Sequence, residues 1–500
     1  MKRLLLSLLL VPSVAGATGF TDAGQDLGTH AAGPIVVDGT FRVRAGALYN
    51  FDLDRGNTPS GRPLFAVPKD GGQTLSAGDM RLRTDVAAFS PTGTLAVKIR
   101  ADVFDGAGLS DRVPAGESTR ADALVIDRFY AEALTPVGVI TAGRMGSTWG
   151  LGILANGGDC DECDRGDAAD RFAFITPLVG HIFAVAYDVT AVDPTVPQSE
   201  RPATFRAARG TDTVSVAAMR WRNPEAIDRR RRAGKWTADY GAVFSQRHDR
   251  EGGAASFLAT PMDGVPRGLS ARVVDGWARL ATPRIRIEAE AAFAEARVAK
   301  PSVIPGVVVD PVSSRAFGAA LESELGAPGA RVLFGLDAGV ASGDPAYGFS
   351  SDSAWDGPAA RGDLRGAQAL PPWDSRADDF RFHTDYRVDR ILFREIIGTV
   401  TDAAYVRPHA TVVLARASTG TLSASVAVIG SRALHASSTP GGDANLGVEV
   451  DPTRAWNGTE GLTAVLEHAV LFPLAGLDNP DANMPAKPAQ LIRLRLGWRF

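Results

Sequence analysis

The sequence predicts an all-β fold: a transmembrane antiparallel up-and-down β-barrel of about 18 strands (16–18), with short turns at one end and long loops at the other. Three observations predict it. Apolar and polar residues alternate with period two, most plainly at the end of the chain. There Ile492, Leu494, Leu496, Trp498 and Phe500 alternate with Arg493, Arg495, Gly497 and Arg499, a strand with one apolar and one charged face. Short connections containing Pro or Gly alternate with long polar stretches, as in barrels with short periplasmic turns and long external loops. No segment offers the ~18 uninterrupted apolar residues that a membrane helix requires.

Taken in order, Met1-Lys2-Arg3 is a basic leader, Leu4 to Val11 an apolar core and Ala15-Gly16-Ala17 a small-residue cleavage site. Residues 1–17 therefore read as a secretory signal peptide, residues 18–38 as an N-terminal periplasmic segment, and 39–500 as the barrel. Short turns fall at Ser90–Gly93, Pro136–Gly138, Pro177–Gly180, Thr282-Pro283, Gly326–Gly329, Ser418–Gly420 and Asn457–Glu460, with a longer basic connection at Asn223–Gly234. Nine long loops lie between them, so the count reaches eighteen and both termini share one side. Asp389–Thr401 reads as helical and is assigned to the 343–402 loop, as a lid or constriction element. In the first hairpin a turn at Pro91-Thr92 sets Asp85 opposite Lys98, Arg83 opposite Arg100 and Arg81 opposite Asp102. All six share one face, and cations facing lipid would cost ~2–4 kcal/mol each near the midplane. The charged face must look inward.

Charge does not suggest a nucleic-acid protein. Lys+Arg 53 against Asp+Glu 57 gives −4, and loss of Lys2 and Arg3 lowers it further. Arginine dominates the inward faces: Arg42 and Arg44, Arg81 and Arg83, Lys98 and Arg100, Arg220 and Arg222, Arg284 and Arg286, Arg493 and Arg495. Such a wall either selects anions or pairs with inward acids such as Asp85, Asp102, Glu288 and Glu290 to close the lumen. Both readings stand. With 2 Cys, Cys160 and Cys163 read as a small disulfide loop outside the cell. The surrounding Asp159, Asp161 and Asp164 suggest a weak Ca²⁺ site, off the EF-hand spacing, or ordinary solvated acids. Trp149, Trp221, Trp277, Trp498 and Phe500 are candidates for an aromatic interface belt, or for lumen and loop packing. The run Arg229–Arg232 on a periplasmic connection suits anionic headgroups or peptidoglycan, or simple solvation. The seven His are scattered, with no H-E-x-x-H and no G-x-S-x-G, so no catalytic role is predicted.

The terminal strand, ending in Trp498 and Phe500, resembles the targeting strand of Gram-negative outer-membrane barrels. That resemblance implies recognition by the barrel assembly machinery and residence in the outer membrane, among its lipid and lipopolysaccharide. Leu48–Arg55, Gly143–Gly152 and Phe393–Gly398 resemble a group of myxobacterial outer-membrane proteins. Leu446–Asp451 followed by His468–Pro473 is more distantly similar to alginate-export barrels, whose eighteen strands and Arg-rich lumen imply an anionic solute or polysaccharide. The expected function is an outer-membrane channel or porin-like transporter. The alternative is a non-conducting barrel with adhesive or structural loops.

Overall fold

The computed structural model describes residues 19–28, 34–57, 63–65, 67, 72–108, 124–164, 166–191, 210–249, 268–299, 311–346 and 375–500. The leader at 1–17 lies outside them. Period-two segments become eighteen strands. The first nine are β1 (Ile35–Tyr49), β2 (Thr74–Phe89), β3 (Leu95–Gly108), β4 (Leu124–Thr135), β5 (Gly138–Gly146), β6 (Ala168–Leu178), β7 (His181–Ala191), β8 (Gly210–Arg220) and β9 (Thr237–Asp249). The rest are β10 (Leu269–Ala281), β11 (Ile285–Val298), β12 (Val312–Leu325), β13 (Val332–Ala341), β14 (Ala403–Ala417), β15 (Gly420–Ala433), β16 (Asn445–Gly458), β17 (Leu462–Pro473) and β18 (Ala489–Arg499).

Each strand pairs antiparallel with the next, and β1 pairs with β18, so one sheet closes on itself and leaves no edge. Just past β18, Phe500 N–H donates to Gly39 O (3.0 Å) and Gly39 N–H to Phe500 O (3.1 Å). The faces alternate as read: Ile492 is 53% exposed and its neighbour Leu491 1%. Phe172, Phe244, Phe293, Phe317 and Phe334 lie outward with it, the apolar exterior that lipid demands. Among the described residues no helix is long and apolar enough to cross a membrane; the strands cross.

The first hairpin departs from its expected register. Its connection runs from Ser90 to Thr94 rather than turning at Pro91-Thr92. Every partner moves by two residues, which preserves the faces. Asp85 now opposes Arg100, Arg83 opposes Asp102, and Lys98 opposes Ala87. The shift removes the like-charge Arg–Arg pair and keeps two opposite-charge pairs.

Two of the helical turns in the connections bear on the sequence reading. Pro224–Arg232 is an α-helix, α1, capped by Asn223, whose Oδ1 accepts from Ala226 N (2.9 Å). An Asn cap followed by Pro at the first helical position was a legible start signal; the sequence reading took this stretch only as a basic connection. The segment read as helical at 389–401 contains a π-helical turn, Leu392–Ile396, and does sit in the 343–402 connection.

The core sits inside the barrel, because long loops fold inward. Phe51, Leu53, Ile153, Phe382, Ile391, Leu392 and Ile397 pack against inward Leu48, Tyr405, Ile429 and Leu491. The barrel boundary expected at residue 39 moves. The barrel begins at Ile35, and residues 19–28 lie within its short-turn end. Phe20 packs with Trp149, Trp277 and the inward alanines Ala173, Ala184 and Ala217. Gly24 N–H donates to Glu132, Asp26 pairs with Lys98 (3.0 Å), and Gly28 N–H donates to Gly93 O. Alanine on β6, β7 and β8 leaves the space this segment occupies.

Candidate functional site in the barrel lumen

The charged lumen is built where β1–β4 and β18 present inward arginines to the 147–167 loop. Cys160 and Cys163 are bonded to each other, as read, but their loop is folded into the lumen rather than displayed outside. Its carboxylates meet the wall. Asp159 pairs with Arg100 (2.5 Å) and Arg128 (2.8 Å), Asp161 with Arg499 (2.9 Å), and Glu162 with Arg495. Asp164 pairs with Arg42 (2.7 Å), Arg44 (2.9 Å) and Arg387 (2.8 Å). Carbonyls of the loop complete the fit, Arg81 donating to Cys163 O and Arg83 to Gly158 O, both at 2.7 Å.

Burial alone would raise these acids, but the guanidinium groups outweigh it. Arg44, Arg387 and Arg42 hold Asp164 well below the usual carboxylate range, and Arg128 and Arg100 lower Asp159. Arg495 does the same for Glu162. The acids considered for Ca²⁺, Asp159, Asp161 and Asp164, each turn to different arginines, so a cation there would have to displace them.

The remaining inward residues pair within the wall. Arg83 forks onto Asp102 (2.6 Å) and Arg100 onto Asp85 (2.7 Å), while Lys98 meets Glu132 (3.1 Å) and Arg286 meets Glu288 (3.2 Å). Arg493 pairs with Glu395 of the π-turn (3.0 Å). Three residues expected to line the lumen do not. Arg220 falls on the outward series with Val214 and Val216. Arg284 is exposed in the β10–β11 turn, and Arg222 lies past the end of β8, paired with Asp239 (2.5 Å). Trp149 and Trp277 are buried inside instead of joining a belt, whereas Trp498 and Phe500 face outward.

A second inward segment, 375–402, was named only as a lid and carries residues the sequence reading missed. Asp389 accepts from Phe393 N (2.9 Å) and Arg394 N (3.1 Å), and Glu449 of β16 accepts from Arg390, Ile391 and Leu392 N–H. Two acids thus satisfy the free donors at the start of the π-turn. The charged spacing of Asp385-Tyr-Arg-Val-Asp-Arg390 was the available signal. Between this segment and β14–β16 lies a cavity of about 100 Å³ lined by Arg390, Arg407, His409, Thr411, Ser425, Asp451 and Thr453. Arg390 is held by Thr453 (2.8 Å) and Asp451 (3.5 Å), Arg407 by Asp337 (2.7 Å).

No family model matches the chain, and no curated protein does. Solved barrels are similar in architecture. OpdK of Pseudomonas aeruginosa, crystallised with vanillate, is 10% identical (TM-score 0.47) over 93% of this chain and 98% of its own. A BenF-like porin from Pseudomonas fluorescens is 9% identical (TM-score 0.48) over 93% and 98%. OmpT, an outer-membrane protein of Vibrio cholerae, is 9% identical (TM-score 0.36) over 94% and 99%. The likeness is one of overall shape, and no residue role is transferred from it.

Proposed function

We propose that this protein is a narrow, porin-like channel of the Gram-negative outer membrane, passing small solutes with a preference for anions. One observation supports it above the others. Two loops enter an eighteen-stranded barrel and are fastened to its wall by ion pairs, and the second of them leaves against β14–β16 a polar chamber lined by Arg390, Arg407 and His409 together with Asp451. A wide sieve has no use for such a constriction; a selective path does. About 100 Å³ holds a small carboxylate or several waters, so a polysaccharide strand would need both loops displaced. The terminal strand with Trp498 and Phe500 supports delivery by the barrel assembly machinery into a membrane of phospholipid and lipopolysaccharide.

A second reading, a closed barrel with adhesive or structural loops, draws on the apolar packing of Phe51, Ile153, Phe382 and Leu392 within the lumen. Single-channel recording in planar bilayers separates the two. The channel reading expects small steps from the whole protein, larger steps after deletion of residues 157–164, and an anion-directed reversal potential in a salt gradient. Absence of steps from both proteins would leave the closed barrel standing.

A further inference from the structure

We propose that the foot of β8 and β9 is a binding site for the phosphate of an anionic phospholipid in the periplasmic leaflet. The inference rests on the membrane-spanning reading of the barrel and not on conduction.

Arg220, the last residue of β8, is exposed on the outward series of that strand. The register sets it opposite Tyr240 of β9 and one step beyond the Ile182–Met219 pair, beside His181 of β7. His181 Nε2 and Tyr240 OH are hydrogen-bonded at 3.0 Å, with ring centroids 5.8 Å apart. This rigid aromatic ledge flanks the cation. Trp236, immediately before β9, is 66% exposed. Arg230 of α1 is pinned across the start of β9, donating to Trp236 O (3.0 Å) and to Oγ1 of the inward-facing Thr237 (3.1 Å). Lys235 is exposed next to it.

The contrast with neighbouring arginines is the telling point. Arg222 and Arg231 find Asp239 and Glu324. Among the described residues, no carboxylate lies within ion-pair distance of Arg220, Arg230 or Lys235. A cation on the outer wall is tolerated only near headgroup level, which is where the last residue of a strand stands as it leaves the barrel for the α1 connection. Tyrosine and tryptophan favour that same layer. An unmatched arginine on the lipid-facing wall beside an aromatic ledge, with Lys235 exposed just before β9, is complementary to a diester anion at the depth of lipid phosphates. Arginine adds the forked geometry that phosphate accepts.

The test is native mass spectrometry of the full-length, detergent-purified protein titrated with phosphatidylglycerol or phosphatidylcholine. The wild type should retain phosphatidylglycerol in excess over phosphatidylcholine. Each cation removed should cut that excess about fivefold, the effect of one basic residue at an anionic surface, so R220Q/K235Q should nearly abolish it. Arg220→Lys should keep part of it, and guards against a double variant that fails to fold, as judged by heat-modifiable mobility. Equal retention by wild type and R220Q/K235Q would overturn the proposal. So would displacement of phosphatidylglycerol by millimolar inorganic phosphate, which would mark a site for free anion.

Discussion

Asp102 shows what a single carboxylate does in this lumen. It is fully buried on β3, with Arg83 forked onto it at 2.6 Å and Arg81 at 3.8 Å. Removing one partner of a buried pair leaves the other charge desolvated and costs ~3–5 kcal/mol. Asp161 and Arg499 are both about half exposed, where such pairs contribute about 0–1 kcal/mol. Asp102→Asn is therefore expected to lower the barrel's unfolding midpoint in urea markedly, and Asp161→Asn hardly at all. Equal midpoints for the two would refute the assignment of Asp102 as a structural counter-ion. The presence of inward charge at Asp102 was legible from strand alternation. Its partner was not, because a hairpin register depends on the true length of the Ser90–Thr94 connection, which no local pattern states.

Among the elements, the π-turn and the disulfide loop answer to pH with opposite signs. Burial lifts Asp389 to about 7; the Phe393 and Arg394 N–H groups oppose this, while Asp451 adds to it. A carboxyl raised in the docked state binds more protons there than when released. Docking of residues 391–397 should thus weaken as pH rises from about 4 through about 7. Hydrogen exchange corrected for intrinsic rates should show greater protection at pH 5 than at pH 8, and Asp389→Asn should shrink the difference. A variant with the same pH dependence would place the responsible acid elsewhere. The disulfide loop should behave in reverse. Its Asp159, Glu162 and Asp164 are held low, so its docking should persist from neutral pH down to the ordinary carboxylate range and fail only in stronger acid. Helical character at 389–401 could be read from the sequence, but the inward fold of both loops could not. It depends on carboxylates of one segment meeting arginines hundreds of residues away, as Arg495 meets Glu162.

At the scale of the whole molecule, closure of β1 on β18 carries the assembly predictions. Leu494→Arg puts a cation on the lipid-facing wall, where it costs ~2–4 kcal/mol near the midplane. It should sharply reduce heat-modifiable folded protein. Arg495→Leu removes only a partner of Glu162, which Arg387 still approaches at 4.0 Å, and should be milder; the reverse order would mean the strand faces the other way. Deleting Phe500 removes both hydrogen bonds to Gly39 and the ring that lies tilted against Trp498, centroids 5.2 Å apart. Export should continue while outer-membrane levels fall, and normal levels in fractionated cells would show that closure does not need it. By itself the sequence determined the strand count, the alternation, the inward facing of charge in most strands and the Cys160–Cys163 pair. These follow from local period, turn chemistry and the cost of charge in lipid. Only the tertiary structure decided that two loops narrow the lumen, that its arginines are largely paired with acids, that Arg220 faces out, and that residues 19–28 lie inside. An inward loop satisfies buried charge as well as an external one satisfies water, and only the three-dimensional meeting of specific acids with specific guanidinium groups selects between them.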